Sequence, residues 1–260
     1  MGILNVTPDS FSDGGRLASV SDVLRQAESM VSQGAQILDV GGESSRPGSD
    51  PVDLATEQRR VLPVMEALHK EKLPACLSVD TWKAALANQA LERGATIIND
   101  ISALRDPNMA GVAAAHQAGL ILMHMRGVPK TMQQGDLRYD VITDLQSTLQ
   151  RAINQARDAG VPTSHIMLDP GIGFGKTTAQ NIQITQSLST LTAWGHPIVY
   201  GPSRKRFIGE LTGQDVTQRD RGTAATCAIA ALQGAHIFRV HNPAEVRDAL
   251  AIGSGFRNPA

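Results

Sequence analysis

A chain of 260 residues with 24 basic and 25 acidic side chains carries a formal charge of −1. That balance offers no basic footprint for nucleic acid and no cationic face for an anionic membrane. No charged segment followed by a long apolar run opens the sequence, and no stretch reaches the roughly 20 apolar residues of a membrane span. Cys76 and Cys227 sit in separate apolar runs without zinc-site spacing. They read as two reduced, buried thiols of a cytoplasmic protein.

Short runs rich in Ile, Val and Leu recur along the chain, at residues 2–6, 36–40, 76–80, 96–100, 119–124, 165–169, 197–200 and 236–241. Nearly continuous apolar runs of this length fit parallel strands covered on both faces. The segments between them carry helix signals. Ser21 is expected to cap a helix whose face holds Leu24, Ala27 and Val31, with Gly34 at its stop. Residues 53–70 are helical in pattern, with Pro63 expected to kink or divide them. Thr217 and Asp220 resemble a capping box before the Ala-rich stretch 224–232, which Gly234 closes. Strand–helix alternation repeated eight times predicts one α/β domain over 1–260, a (β/α)8 TIM barrel. A doubly wound open sheet is the alternative.

Most of the runs end in a polar residue: Asn5, Asp39, Asp80, Asn99, His124, Asp169, the trio Ser203, Arg204 and Lys205, then Arg239 with His241. In a barrel such positions converge on one mouth. Any single one is adequately explained as a strand terminator, but buried carboxylates repeated at strand ends need a ligand or mutual pairing. Asp80, Asn99 and Asp169 supply acceptors and one amide, which suits a flat heterocycle with several N–H groups. Arg204, Lys205, Arg239 and His241 come from the last two strands, where barrels often bind phosphate, and Arg46 follows the second strand. The mouth is therefore expected to have an acidic half for a ring and a basic half for an anion.

Two loops, residues 7–15 and 41–48, are dense in Gly, Pro and small polar residues and read as lids that order over substrate. The run from Gly171 to Thr177 looks superficially like a nucleotide-binding loop. Pro170 occupies the place of its first glycine, however, and Lys176 stands where the last glycine of a G-x-G-x-x-G register belongs. It is read as a strand–helix loop whose glycines allow close ligand approach.

Residues 1–15, MGILNVTPDSFSDGG, closely resemble the first signature of the dihydropteroate synthase family, and residues 39–48, DVGGESSRPG, its second. Further matches fall, in order, at residues 78–81, 97–100, 123–125, 168–171, 203–205 and 239–241. The resemblance implies a transferase of folate biosynthesis, a sulfonamide target in its family. It would join 6-hydroxymethyl-7,8-dihydropterin diphosphate to p-aminobenzoate and release pyrophosphate. By similarity, Asp80, Asn99, Met123, Asp169, Lys205 and Arg239 bind the pterin. Asn5, Arg46, Arg239 and His241 would hold the diphosphate, with Asn5 also reaching Mg2+. Phe11, Ser45, Pro47, Phe174, Ser203 and Lys205 would form the p-aminobenzoate side, and a homodimer through outer helices is expected. Asp80, Lys205, Arg239 and His241 would carry the catalysis, through SN1-like loss of the diphosphate.

This sequence departs from the family pattern in four places. Ser45 stands where Thr is usual, Asn242 where Asp is common, and Tyr200 where an aliphatic residue is typical. The chain also opens on its first strand without the family's usual short hairpin, so either the start is truncated or another segment is expected to cover the barrel floor. Two rival readings share the Asp/Asn pterin grip, a pterin-dependent methyltransferase and a pterin-binding protein without catalysis. The first would not require the cations of residues 203–205 and 239–241.

Overall fold

The computed structural model describes residues 1–7, 19–134, 137 and 139–257. Eight strands appear where the apolar runs predict them: β1 (Gly2–Asn5), β2 (Ile37–Gly41), β3 (Cys76–Asp80), β4 (Ile97–Asp100), β5 (Gly119–Met123), β6 (Ile166–Asp169), β7 (Val199–Tyr200) and β8 (Ile237–Phe238). The first six form one parallel sheet in sequence order, and β7 pairs with β8. Two isolated parallel bridges close the ring. Leu168 pairs with Ile198, and Gly2 pairs with Val240. The Ile3 amide donates to Val240 O at 3.0 Å, and the Val240 amide to Met1 O at 2.9 Å. A ring joined at both seams has no sheet edge, so the doubly wound alternative is excluded and the fold is a TIM barrel.

Helices clothe the ring: α1 (Val20–Ser32), α2 (Leu54–Glu71), α3 (Ala84–Leu91), α4 (Met109–Ala115), α5 (Val141–Asp158), α6 (Thr178–Gln186), α7 (Leu188–Thr192), α8 (Arg206–Thr212), α9 (Asp220–Leu232) and α10 (Pro243–Arg257). Leu4, Leu38, Val40, Val79, Ile98 and Leu168 join Val23, Ala27, Val61 and Met65 of the helices in one buried cluster. Successive strand side chains point to opposite faces. Asp39 therefore points inward between Leu38 and Val40, and Ser78, Asp80 and Asn99 alternate with buried apolar neighbours in the same way. That alternation sets the site.

Several local expectations are corrected. Ser19, not Ser21, caps α1, because only Ser19 has Asp22 three residues on to complete a capping box. Leu24 and Val31 are only partly buried beside fully buried Val23, Ala27 and Met30. Pro63 lies on the exposed side of α2 and does not divide it. Thr217 does not cap α9, since Asp215 already accepts its amide and hydroxyl, at 2.9 and 2.6 Å, and a 3-10 turn intervenes. Cys227 is buried, but Cys76, at the start of β3, is exposed. Among the described residues no helix is long and apolar enough to cross a membrane.

Candidate active site

Most of the polar strand ends meet at one mouth, on an ionic frame, and His124 and Arg204 do not. Asp39 is fully buried in β2. It accepts from Ser78 Oγ at 2.6 Å, Asn99 Nδ2 at 3.0 Å and Arg239 Nε at 2.6 Å. Arg239 Nη2 also donates to Asp80 Oδ2 at 2.6 Å. Asp80 lies opposite Asn99 in the β3–β4 register, and Met123 opposite Asp169 in the β5–β6 register. Asp39, Ser78, Asp80, Asn99, Met123 and Asp169 from β2–β6, with Arg239 just after β8, thus share one buried surface. Asp39 was counted among the strand ends but not among the binding residues. Its signal was present, a carboxylate between two buried apolar residues, which is tolerated only when paired.

Burial pushes Asp80 and Asp169 above the usual carboxylate range. For Asp80 the Arg239 charge opposes that push, and Asp39 adds to it. For Asp169, the Gly171 amide opposes, donating to Oδ1 at 2.7 Å. Burial alone would lower Arg239, but Asp39 and Asp80 together raise it beyond its ordinary value, so it stays a cation. The cation expected in the basic half is lodged in the acidic one.

The other half has a different character. Ser203 and His241 approach from the ends of β7 and β8, with Ser203 Oγ 2.9 Å from His241 Nδ1. Burial, then the charges of Arg204, Arg239 and Arg46, hold the His241 imidazole down at about 3, so it is neutral at pH 7. Arg204 turns away from the mouth in the left-handed region, φ 57°, and forks onto Asp220 at 2.7 and 2.8 Å. Asn242, at a position that departs from the family pattern, donates to the same carboxylate at 3.3 Å. Lys205 is half-buried. Its Nζ sits 4.0 Å from the Phe174 ring centroid and donates to Ile172 O. Burial lowers this ammonium to about 7 against the pull of Asp169, while Arg239 pushes it further down.

His124 does not join the site. Its Nε2 lies 3.0 Å from Asp144 on α5, outside the ring. Met123, one residue earlier, faces inward and forms an apolar wall with Met125, Met132 and Phe174, against which Trp82 packs. Asn5 ends β1, partly exposed, at the Gly41 register position. Phe11 and most of the first glycine-rich loop lie outside the described residues. The second loop places Ser45 half-buried, with Arg46 and Pro47 exposed. It is tied down, for Glu43 accepts from Lys83 and from Trp82 Nε1, and the Gly48 amide donates to Pro129 O at 3.0 Å.

Among the described residues no group of three His, Cys, Asp or Glu side chains could hold a metal ion. Asn5 offers a neutral amide oxygen at the end of β1. Mg2+ commonly takes one or two protein ligands and fills its shell with phosphate oxygens and water, so Asn5 fits an ion that arrives with a diphosphate.

The comparisons agree with this geometry. A family model described as "Pterin binding enzyme" matches residues 1–241. The dihydropteroate synthase of Synechocystis sp. is 47% identical over 244 residues, 93% of this chain and 84% of that protein. That of Haemophilus influenzae is 40% identical, covering 99% of this chain and 94% of its own. Among solved structures, the Yersinia pestis dihydropteroate synthase in a sulfonamide drug complex matches with TM-score 0.92 at 43% identity, over 98% of this chain and 93% of that one. The Clostridium difficile enzyme in the presence of pteroic acid gives 0.90 at 40%, over 98% and 94%. The Xanthomonas albilineans enzyme with 4-aminobenzoic acid gives 0.90 at 41%, over 98% and 91%. The chain belongs to the pterin-binding enzymes and, within them, to the dihydropteroate synthases, transferases of folate biosynthesis.

Proposed function

We propose that the mouth of the barrel joins 6-hydroxymethyl-7,8-dihydropterin diphosphate to p-aminobenzoate and releases pyrophosphate. The observation that carries this reading is the convergence of Asp80, Asn99 and Asp169, buried and inward-facing at the ends of β3, β4 and β6. They present acceptors and an amide to a planar ring with N–H groups, and no apolar ligand would compensate their burial. The pteroic acid and 4-aminobenzoic acid named with the C. difficile and X. albilineans structures supply the two substrate halves.

The pterin then lies against Asp80, Asn99 and Asp169, with Met123 and Lys205 beside it and Arg239 at its face. The diphosphate is held by Asn5, Arg46, Arg239 and His241. The arylamine lies along Ser45, Pro47, Phe174, Ser203 and Lys205, and the family resemblance adds Phe11, which lies outside the described residues, to the same side. Cleavage of the C–O bond leaves its electron pair on the diphosphate and a cation delocalised over the pterin. The carboxylates of Asp80 and Asp169 face the ring, and in their ionised form they favour the cation as it forms. The arylamine nitrogen adds to the methylene carbon and gives its proton to water or the departing pyrophosphate. Excluding bulk water from the mouth prevents hydrolysis of the cation. Mg2+ carried in with the diphosphate would neutralise part of the leaving group's charge, with Asn5 as a protein ligand.

The same reading places a sulfonamide in the p-aminobenzoate position, as an anionic or neutral mimic of the arylamine. It also places a homodimer contact on the outer helices, where Ile229 and Leu232 of α9 and Ile252 and Phe256 of α10 are exposed. Two free thiols suit a reducing cytoplasm. The test is direct. The purified chain, given both substrates and Mg2+, should release pyrophosphate and form dihydropteroate together. Pterin binding without release would instead support the non-catalytic reading.

A further inference from the structure

Behind the mouth lies a buried ammonium that the reaction does not use. Lys176 is 4% exposed. Its Nζ donates to three carbonyl oxygens, those of Gly171 at 2.8 Å, Phe174 at 3.0 Å and His124 at 3.3 Å. An ammonium has three protons and no acceptor, so this cage uses all of them. Two of the carbonyls belong to the loop after β6, and the third follows β5. Gly171, Gly173 and Gly175 all take positive φ, at 66°, 80° and 61°, and the loop is also tied by the Phe174 amide to Gly171 O at 3.1 Å, by Asn181 to the Gly173 amide at 2.7 Å and by Tyr139 to Gly175 O at 3.0 Å. Among these ties, Lys176 is the one that joins the loop to the end of β5, through His124 O.

Lys205 grips the same loop from the mouth, through Ile172 O and the Phe174 ring. The fit between loop and lysine is close, for a Cβ on Gly173 would stand 2.5 Å from Lys205 Cδ. A shift of the loop therefore moves both the Phe174 ring and the Lys205 ammonium. Burial, then the charge of Lys205, lowers Lys176 to about 7, opposed by Asp169 and Asp144. An apolar residue of similar volume would avoid that desolvation. The charge is kept where three carbonyls must be gathered.

We propose that Lys176 is a positioning residue for the arylamine side of the site: by clamping the carbonyls of Gly171 and Phe174 to that of His124, it fixes the Phe174 ring and the Lys205 ammonium that flank the amine. The proposal rests on the dihydropteroate synthase reading, and the wild-type assay tests that reading separately. Lys176→Met removes all three donors, whereas Lys176→Gln keeps two N–H protons, on an amide one atom shorter. Losing a charged hydrogen-bond cage on one substrate's side should raise the KM for p-aminobenzoate by about tenfold in Lys176→Met and less in Lys176→Gln. The KM for the pterin diphosphate should rise less, because Asp80, Asn99 and Met123 hold that substrate from strands outside this loop, while only Asp169 and Lys205 touch the loop. A purely structural lysine would lower the melting temperature and the active fraction but leave the p-aminobenzoate KM unchanged, and that result overturns the proposal. Equal rises in both KM values overturn it too, as would failure of both variants to fold, which would assign Lys176 to folding alone. A wild-type protein without pyrophosphate release would instead sink the functional reading on which the proposal stands.

Discussion

The two halves of the mouth differ in how their charges are compensated. On the β2–β4 side the carboxylates of Asp39 and Asp80 are bridged by Arg239 at 2.6 Å each, within a frame that also takes in Ser78 and Asn99. On the β7–β8 side the basic groups have softer partners. Lys205 has a peptide carbonyl and an aromatic face, and His241 is uncharged beside Ser203. Arg204 is already spent on Asp220. One half is therefore rigid and prepaired, suited to a neutral ring that meets fixed acceptors. The other holds its positive charge loosely, suited to an anion that arrives and leaves each turnover. Composition could not reveal this, because a count of charges does not say which are already satisfied.

The largest effect should come from breaking the prepaired half. Arg239→Met leaves Asp39 and Asp80 buried without their counter-charge, and removing one partner of a buried pair costs about 3–5 kcal/mol. Urea unfolding should show a loss of that order, together with loss of turnover. A variant as stable as wild type would mean that the two carboxylates are compensated otherwise. The softer half should respond differently. Lys205→Ala removes a charge-assisted contact worth about 1.5–3 kcal/mol, or roughly ten- to a hundred-fold in kcat/KM. Its stability should hardly fall. Unchanged kinetics would show that Lys205 is not at the substrates.

The pH dependence sharpens the same contrast. Lys205 ordinarily titrates at 10.5 and is held at about 7 here, so the free protein loses this charge as pH rises through 7, and kcat/KM should fall on the alkaline side. Asp80 is pushed upward, so the acidic side should rise as it ionises. Replacing Lys205 by Arg should flatten the alkaline fall, and a fall that persists would assign it to another group. Stability carries the opposite sign on that side. Lys176 and Lys205 bind fewer protons folded than unfolded between about 7 and 10.5, so their contribution to stability increases with pH across that window.

The smallest effect tests a departure from the family pattern. Tyr200 is fully buried, with its hydroxyl 2.7 Å from Thr185 Oγ1 and its ring edge-on to Phe238. Tyr200→Phe should cost about 1 kcal/mol by leaving the packing intact and one hydrogen bond unmade, with kinetics unchanged. A kinetic change would mean that the β7 packing reaches the site.

The eight strands were legible because burial on both faces leaves an apolar run that no loop needs. Orientation at the ends of those runs was harder. Met123 and His124 are adjacent, yet one lines the mouth while the other reaches Asp144 in the helix layer. A one-residue change in where a strand ends reverses such an assignment. Arg204 and Lys205 differ in the same way, since the left-handed turn at Arg204 sends its side chain to Asp220. Asp39 was visible as a strand-end carboxylate, but its pairing with a residue 200 positions away was not. Nor could the sequence separate Thr217 as a cap from Thr217 as the partner of Asp215, because both are short-range hydroxyl bonds of similar spacing.

The central claim is that the inward carboxylates of the barrel mouth drive C–O cleavage of a pterin diphosphate. The most direct measurement is pyrophosphate release from both substrates and Mg2+ by the wild-type chain and by Asp80→Asn at matched folded concentration. The account predicts release coupled one-to-one to dihydropteroate in the wild type, and a fall of roughly a hundredfold when the Asp80 charge is removed. Wild-type turnover by Asp80→Asn would contradict it.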